Sequence, residues 1–181
     1  MLTVSSLERV IPGLVEARPG GAREVEFERI RQQLGVVLPS DYRELVSTYA
    51  TFEIDDFLRV WSPTPGAEDG FCADVRDELE ILEDLCGEGE DDLAGGYLPY
   101  PAEGGLLPWG QSSSGDTFYW RVSSPDSDLW PVVVGTRDNE WWEFEGGVIA
   151  FLVGLIDGSI ERRGLPGDVP SGNPRVYVLS E

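Results

Sequence analysis

Residues 106–120, Leu-Leu-Pro-Trp-Gly-Gln-Ser-Ser-Ser-Gly-Asp-Thr-Phe-Tyr-Trp, limit the folds open to this chain more than any other stretch. Large apolar and aromatic side chains on both arms favour a pleated, half-buried surface, and the six residues from Gly110 to Gly115 supply the reversal. That is longer than the tightest hairpin connections, so the pattern predicts a strand, a loop with a bulge and a second strand. Ser112, Ser113, Ser114 and Asp116 at the tip fit two readings. They are a catalytic cluster, or they hold the loop by bonding nearby backbone, which is the commoner use of Ser and Asp in a turn.

The flanking segments divide by period. Leu7, Val10, Ile11 and Leu14 recur at helical spacing in residues 2–15, with Ser5 or Ser6 as N-cap and Pro12-Gly13 as a limit. A second helix is expected over 23–34, closed by Gly35, and a third after Ser40 with Tyr42, Leu45, Val46 and Tyr49 inward. Residues 54–61 read as a first strand. A helix over 72–87 carries the apolar stripe Val75, Leu79, Leu82 and Cys86. Residues 130–136 form a strand apolar enough to be buried on both faces, and 141–144 form another. Val148, Phe151, Leu152 and Leu155 mark a closing helix ending near Gly158, and residues 164–181 are a loose tail or a terminal edge strand. Clustered strands joined by short turns imply an α+β fold, in which N-terminal helices and a closing helix pack on one face of a central antiparallel sheet. At 181 residues a single domain spanning 1–181 is expected, with its core at about 24–163.

Charge prunes the functions. The net charge is −21, so phosphate backbones and anionic membranes should repel the chain, while basic proteins should meet it quickly. Acidic surfaces also serve solubility alone. There is no His, and all 13 basic residues are Arg, which removes Ser-His and Cys-His nucleophiles, His-ligated metals, lysine Schiff bases and lysine phosphate loops. No cofactor or metal is called for. Cys72 and Cys86, fourteen positions apart on one helix, would stand about 21 Å from each other, too far for a disulfide. Two free thiols and a cytoplasmic location are expected, because the N-terminus has no secretory pattern.

From Glu68 to Asp92, twelve acidic residues face one arginine, about half of the total charge. Asp77, Glu80, Glu83 and Asp84 fall opposite the apolar stripe, and Glu88, Glu90, Asp91 and Asp92 follow in a loop that lacks the alternating ligands of an EF-hand. Such a run is a solvated helix face or an interaction surface.

Residues 34–45, Leu-Gly-Val-Val-Leu-Pro-Ser-Asp-Tyr-Arg-Glu-Leu, resemble the early helical signature of the SUKH superfamily, the Smi/Knr-type domain. Leu-Pro-Trp-Gly with the following Gly-Asp resembles that superfamily's central motif, and Trp141-Trp142-Glu-Phe144 with the helix at Phe151 is similar to its C-terminal part. On this resemblance Leu38, Pro39, Tyr42, Trp109, Gly110, Gly115, Asp116, Trp120 and Trp142 are fold-defining positions. The resemblance implies no catalytic residue. It implies an α+β domain used in bacteria as an immunity protein against a secreted polymorphic toxin, often a nuclease, or in fungi as a regulatory hub of cell-wall synthesis. The expected partner is a basic toxin domain rather than nucleic acid or membrane, and the chain is expected to be a monomer. The expected contact surface is Asp77, Glu80, Glu83, Asp84, Glu88, Glu90, Asp91 and Asp92, with Asp55 and Asp56 nearby. The alternative from another class is a carboxylate-based glycoside hydrolase with tryptophan sugar platforms.

Overall fold

The computed structural model describes residues 2–18 and 20–179. In chain order the elements are α1 (Val4–Val10), α2 (Pro12–Glu16), α3 (Phe27–Leu34), α4 (Ser40–Thr48), β1 (Phe52–Ile54), β2 (Leu58–Val60), α5 (Glu68–Leu85), β3 (Leu106–Ser112), β4 (Thr117–Arg121), β5 (Val132–Gly135), β6 (Trp141–Phe144), α6 (Val148–Asp157) and β7 (Val176–Val178). The strands make one sheet in the order β6-β5-β4-β3-β2-β1-β7, with every neighbouring pair antiparallel. Helices on this sheet give the α+β fold expected.

The central hairpin forms where expected, with the bulge inside β3 rather than in the loop. Pro108 pairs with Tyr119 and Gly110 with Phe118, leaving Trp109 as the extra residue. A bulge breaks the alternation of side chains, so Trp109 and Gly110 both turn toward one face. Trp109 is fully buried there against Phe118, Trp120 and Phe151, with ring centroids 5.4, 6.3 and 6.0 Å away. Gly110 carries no side chain because a Cβ would lie 2.7 Å from the carbonyl oxygen of Arg59 on the neighbouring strand. The strand runs three residues further than expected, to Ser112, and the connection shortens to Ser113–Asp116.

Other boundaries move for local reasons. Pro12 cannot donate a backbone hydrogen bond, so α1 ends at Val10 and Pro12 opens α2 at the first helical position, where no N–H is needed. Thr3, not Ser5 or Ser6, precedes α1, and its N–H donates to Ser6 Oγ at 3.4 Å. α3 starts at Phe27 rather than 23 because Arg23 is used elsewhere. Its guanidinium donates to the carbonyls of Val46, Tyr49 and Pro63 and to Ser62 Oγ, tying the preceding loop to α4 and to the end of β2. Ser40 is the first residue of α4 rather than its cap, and donates instead to the Asp128 carboxylate.

The expected strand at 54–61 is two strands. Asp55 and Asp56 both adopt left-handed backbone (φ 54° and 53°), and Phe57 N–H donates to Ile54 O at 3.0 Å, the mirror-image turn that matches the twist of a hairpin. Aspartate tolerates that region better than most residues. The C-terminal segment is an edge strand, since β7 pairs with β1.

The layers also differ from expectation. Leu107, Trp109, Phe118, Trp120, Val132, Val134 and Trp142 face the main core with Leu7, Tyr42, Leu45, Phe151 and Leu155 from the helices. α5 lies on the opposite face, where Leu82 packs with Leu106, Tyr119 and Val133. Helices therefore sit on both faces. The polar stretch around α5 hid this, because only one narrow stripe of that helix is apolar.

One buried carboxylate joins the two halves of the main core. Asp41, 6% exposed, accepts from Tyr42 N–H at 2.7 Å and from Ile149 N–H at 3.1 Å in the first turn of α6. A negative group there meets two otherwise unpartnered donors and the positive end of the helix dipole. Gly147 is required for the approach, since a Cβ on it would overlap Asp41 Oδ2. Asp41→Ala should lower unfolding stability by roughly 1–3 kcal/mol in urea titration. Gly147→Ala should cost a similar amount, and the double variant should cost less than the sum, because both changes remove one contact.

Candidate functional site

A single transverse row crosses the second face of the sheet: Tyr177, Glu53, Arg59, Gln111, Thr117, Gly135 and Trp141, one from each strand. Its β6 end is closed, because the Trp141 ring lies over Gly135, where any Cβ would come within 2.6 Å of it. Its β7 end is open. α5 packs over β3 to β5, and beyond β3 the Arg59 side chain is 43% exposed and Tyr177 is 45% exposed. The bulge at Trp109 sets this arrangement: it returns Gln111 to the second face, while Ser112 turns to the core side.

Between α5 and the open half of this face runs a groove of about 560 Å³. Its floor is Arg59 and Gln111, its wall is Gly70, Phe71, Asp74, Asp77, Glu78 and Ile81 from α5, and Trp61 stands at its rim. Glu78 is the deepest of the acids. It accepts from Thr117 Oγ1 at 3.0 Å, and burial pushes its carboxyl above the ordinary range against that hydrogen bond. The floor carries one internal ion pair, in which Arg59 donates to Glu53. Among the described residues Asp74, Asp77 and Glu78 are in no ion pair. The lining thus carries three carboxylates against one guanidinium, Arg59, whose charge Glu53 already meets, and the field of the groove is net negative.

The acids singled out in the sequence fall into three groups. Asp55 and Asp92 hold backbone. Asp55 accepts from the N–H groups of Ser171 and Arg175, each at 2.7 Å, and fastens the C-terminal segment to the β1–β2 turn. Asp92 accepts from Ala94 and Gly96 N–H at 3.0 and 2.6 Å. Asp56 reaches Arg175 at 3.6 Å. Asp77 lines the groove, while Glu80 and Glu83 border a second, shallower cleft with Leu79, Leu98 and Tyr100 on the other flank of α5. Asp84, Glu88, Glu90 and Asp91 are exposed. Sequence reasoning passed over Asp74 and Glu78, the groove acids nearest the apolar stripe. Projecting all of α5 at 100° per residue would have placed them on the flank next to it.

The other candidate groups are structural. Ser112 Oγ donates to Asp116 and accepts from the N–H groups of Ser114 and Asp116, and Asp116 also accepts from Arg137 N–H at 3.1 Å, so the serine cluster locks one turn to the next. Trp109, Trp120, Trp130 and Trp142 are buried, and Trp61 is the tryptophan at the groove. Leu38, Pro39 and Tyr42 are also buried, Gly115 takes the left-handed conformation of the turn (φ 95°), and Trp142 Nε1 donates to Arg163 O. Cys72 and Cys86 are free, and burial pushes both thiols up. Among the described residues no cluster of three or more Cys, Asp or Glu could hold a metal ion, and no helix is long and apolar enough to cross a membrane.

A family model described as SMI1-KNR4 cell-wall, within the SUKH group, matches residues 24–147. No curated protein and no solved structure matches the chain.

Two outcomes follow from the carboxylates. Burial raises Glu78 in the folded state above its ordinary 4.5, so its charge opposes folding at neutral pH and ceases to do so as pH falls below that value. Glu78→Gln should therefore raise Tm at pH 7 by about 1–2 °C, a gain kept small by partial exposure, and the gain should vanish near pH 4. Asp55 behaves oppositely. Burial pushes its carboxyl up, but the Ser171 and Arg175 N–H groups outweigh that and hold it below 3.8, so its contribution is present above that value and lost as pH falls through the folded one. Asp55→Ala should speed hydrogen exchange of the β7 amides at pH 7 by roughly tenfold, the equivalent of about 1.4 kcal/mol.

Proposed function

The chain belongs to the SMI1-KNR4 (SUKH) family, and from that premise we propose that it is a protein-binding immunity domain that neutralises a cognate secreted toxin with a basic working surface. The observation that carries the reading is the set of acids left over once structural duties are assigned. Asp77, Glu80, Glu83, Asp84, Glu88, Glu90 and Asp91 are exposed, and among the described residues none is in an ion pair. A stable fold has no need of so many like charges on one side, and they repel one another at a cost that a basic partner removes. A nuclease is the toxin class this surface suits, because a cleft that binds phosphate backbone is lined with Lys and Arg. Binding over that cleft would exclude substrate without any chemistry by the inhibitor, consistent with a family that is generally non-catalytic.

The cell-wall wording of the family description favours a second reading, a regulatory hub that recruits several proteins through the same acidic surface. Genetic context separates the two. The product of the neighbouring reading frame should co-purify with this protein, and expression of the protein should rescue cells from that product. Association should slow at least tenfold between about 50 and 500 mM salt. Reversing Asp77, Glu80, Glu83 and Asp84 to Lys should abolish both binding and rescue while circular dichroism stays unchanged. A folded reversal variant that still protects would overturn the assignment of the surface. A neighbour that neither binds nor harms cells would overturn the immunity role.

A further inference from the structure

The proposed immunity surface spans one whole side of α5, and of the two clefts that flank the helix only the one facing the sheet combines three carboxylates with a tryptophan. We infer that the groove between α5 and the open face of β2 and β3 is the anchor point of the interface, and that it receives an arginine side chain of the basic partner, seated beside Trp61 and paired with Asp74 and Glu78. This deepens the immunity reading and rests on it for the identity of the partner.

Three observations converge on the groove. The first is the bare sheet face: the transverse row is covered by α5 and Trp141 at one end and left open at Arg59, Glu53 and Tyr177 at the other. The second is the lining. Trp61 and Phe71 offer aromatic surface, Ile81 is a 52%-exposed aliphatic side chain, and Asp74, Asp77 and Glu78 bring three carboxylates that are in no ion pair among the described residues, the Arg59 guanidinium on the floor being paired with Glu53. The third is size: about 560 Å³ falls inside the range of roughly 300–1,000 Å³ at which pockets bury a ligand. An acidic patch on a convex surface attracts any cation and orients none. Here the carboxylates share a cleft with aromatic and aliphatic walls, which matches a planar guanidinium on an apolar stem better than the compact, strongly hydrated ammonium of lysine. Guanidinium also stacks on tryptophan while it pairs with carboxylate.

The floor has its own example of this pairing. Arg59 lies beside the groove acids and donates through Nε and Nη2 to Glu53. A second guanidinium entering above it would find Asp74 and Glu78 unpaired. The outer acids, Glu80, Glu83, Asp84, Glu88, Glu90 and Asp91, then have a different task. Solvated charges at a rim speed the encounter, whereas a desolvated pair at the centre sets how long the complex lasts.

Gly70 gives a test that leaves charge unchanged. It lies in α5 on the groove wall, and a Cβ there would meet nothing within 4 Å, so Gly70→Leu puts a side chain into the groove and strengthens the helix. Two assays are needed. In the first, Gly-Arg-Gly and Gly-Lys-Gly tripeptides are titrated into the protein at millimolar concentration and followed by amide chemical shifts. The arginine peptide should give saturable shifts centred on Gly70, Asp74 and Gln111, the lysine peptide should bind at least threefold more weakly, and Gly70→Leu should abolish the effect. Shifts spread over Asp84 and residues 88–92, or unchanged in Gly70→Leu, would overturn the inference. In the second assay, the neighbouring frame's product is bound to charge-matched pairs of variants. Asp74→Asn with Glu78→Gln should speed dissociation at least tenfold, and Glu80→Gln with Asp84→Asn should slow association less than threefold. Equal effects from both pairs would mean diffuse attraction only, and would sink the groove while leaving the immunity role standing. Localised peptide binding with no binding of the neighbour's product would do the reverse.

Discussion

The extra residue in β3 is the constraint on which the rest of the molecule hangs. If Leu107, Trp109 and Gln111 kept strict alternation, all three would face the helices, and a polar amide would sit in the core. The bulge at Trp109 instead buries the indole among Phe118, Trp120 and Phe151, places a glycine where the Arg59 carbonyl passes, and returns Gln111 to the far face. A small side chain at Trp109 would leave a large void in close-packed surroundings. A side chain at Gly110 would push β2 away from β3 and with it the floor of the groove. Core and groove are therefore set by the same three residues, Pro108, Trp109 and Gly110.

Charge does several jobs that net charge does not distinguish. Asp41 staples α4 to α6, Asp55 fastens the C-terminal strand, Asp92 and Asp116 hold loops, and Glu68, fully buried, accepts from the N–H groups of Glu26 and Gly66 to seat the start of α5. Each of these meets backbone donors, and at Asp41 the donor of Ile149 is buried, where an unpaired N–H is costly. What remains on the outside of α5 and in the groove has no such work. The acidic residues of this protein thus divide into those that complete the fold and those that repel one another until something cationic arrives.

Local pattern revealed a good deal. The 3.6-residue period marked α4, α5 and α6, the αL glycines at 35 and 158 closed helices where expected, and the Pro-Trp-Gly hairpin with the Leu-Pro-Ser-Asp-Tyr turn carried the family resemblance. It misled where a residue had a distant partner. Asp41 sits within the motif, yet its role depends on Ile149, more than a hundred residues on. Asp55 reads as a surface acid until Ser171 and Arg175 are folded back onto it. The Asp55-Asp56 turn was hidden because two left-handed aspartates lack the glycine that advertises such a turn.

Periodicity, turn residues and charge counts act over a few neighbours, and so the element types, the α+β class, the hairpin and the acidity of α5 follow from the sequence alone. Which face of the sheet α5 covers depends on a choice between two nearly equivalent sides, and that choice is made by long-range packing of Leu82 on Tyr119 and Val133. The groove follows from it, since the same acids on the other face would lie against α6 and its aromatic core. Hydrophobic and charged patterns say that a helix must bury one stripe. Only the assembled chain says against what, and therefore which of its acids are left facing an opening.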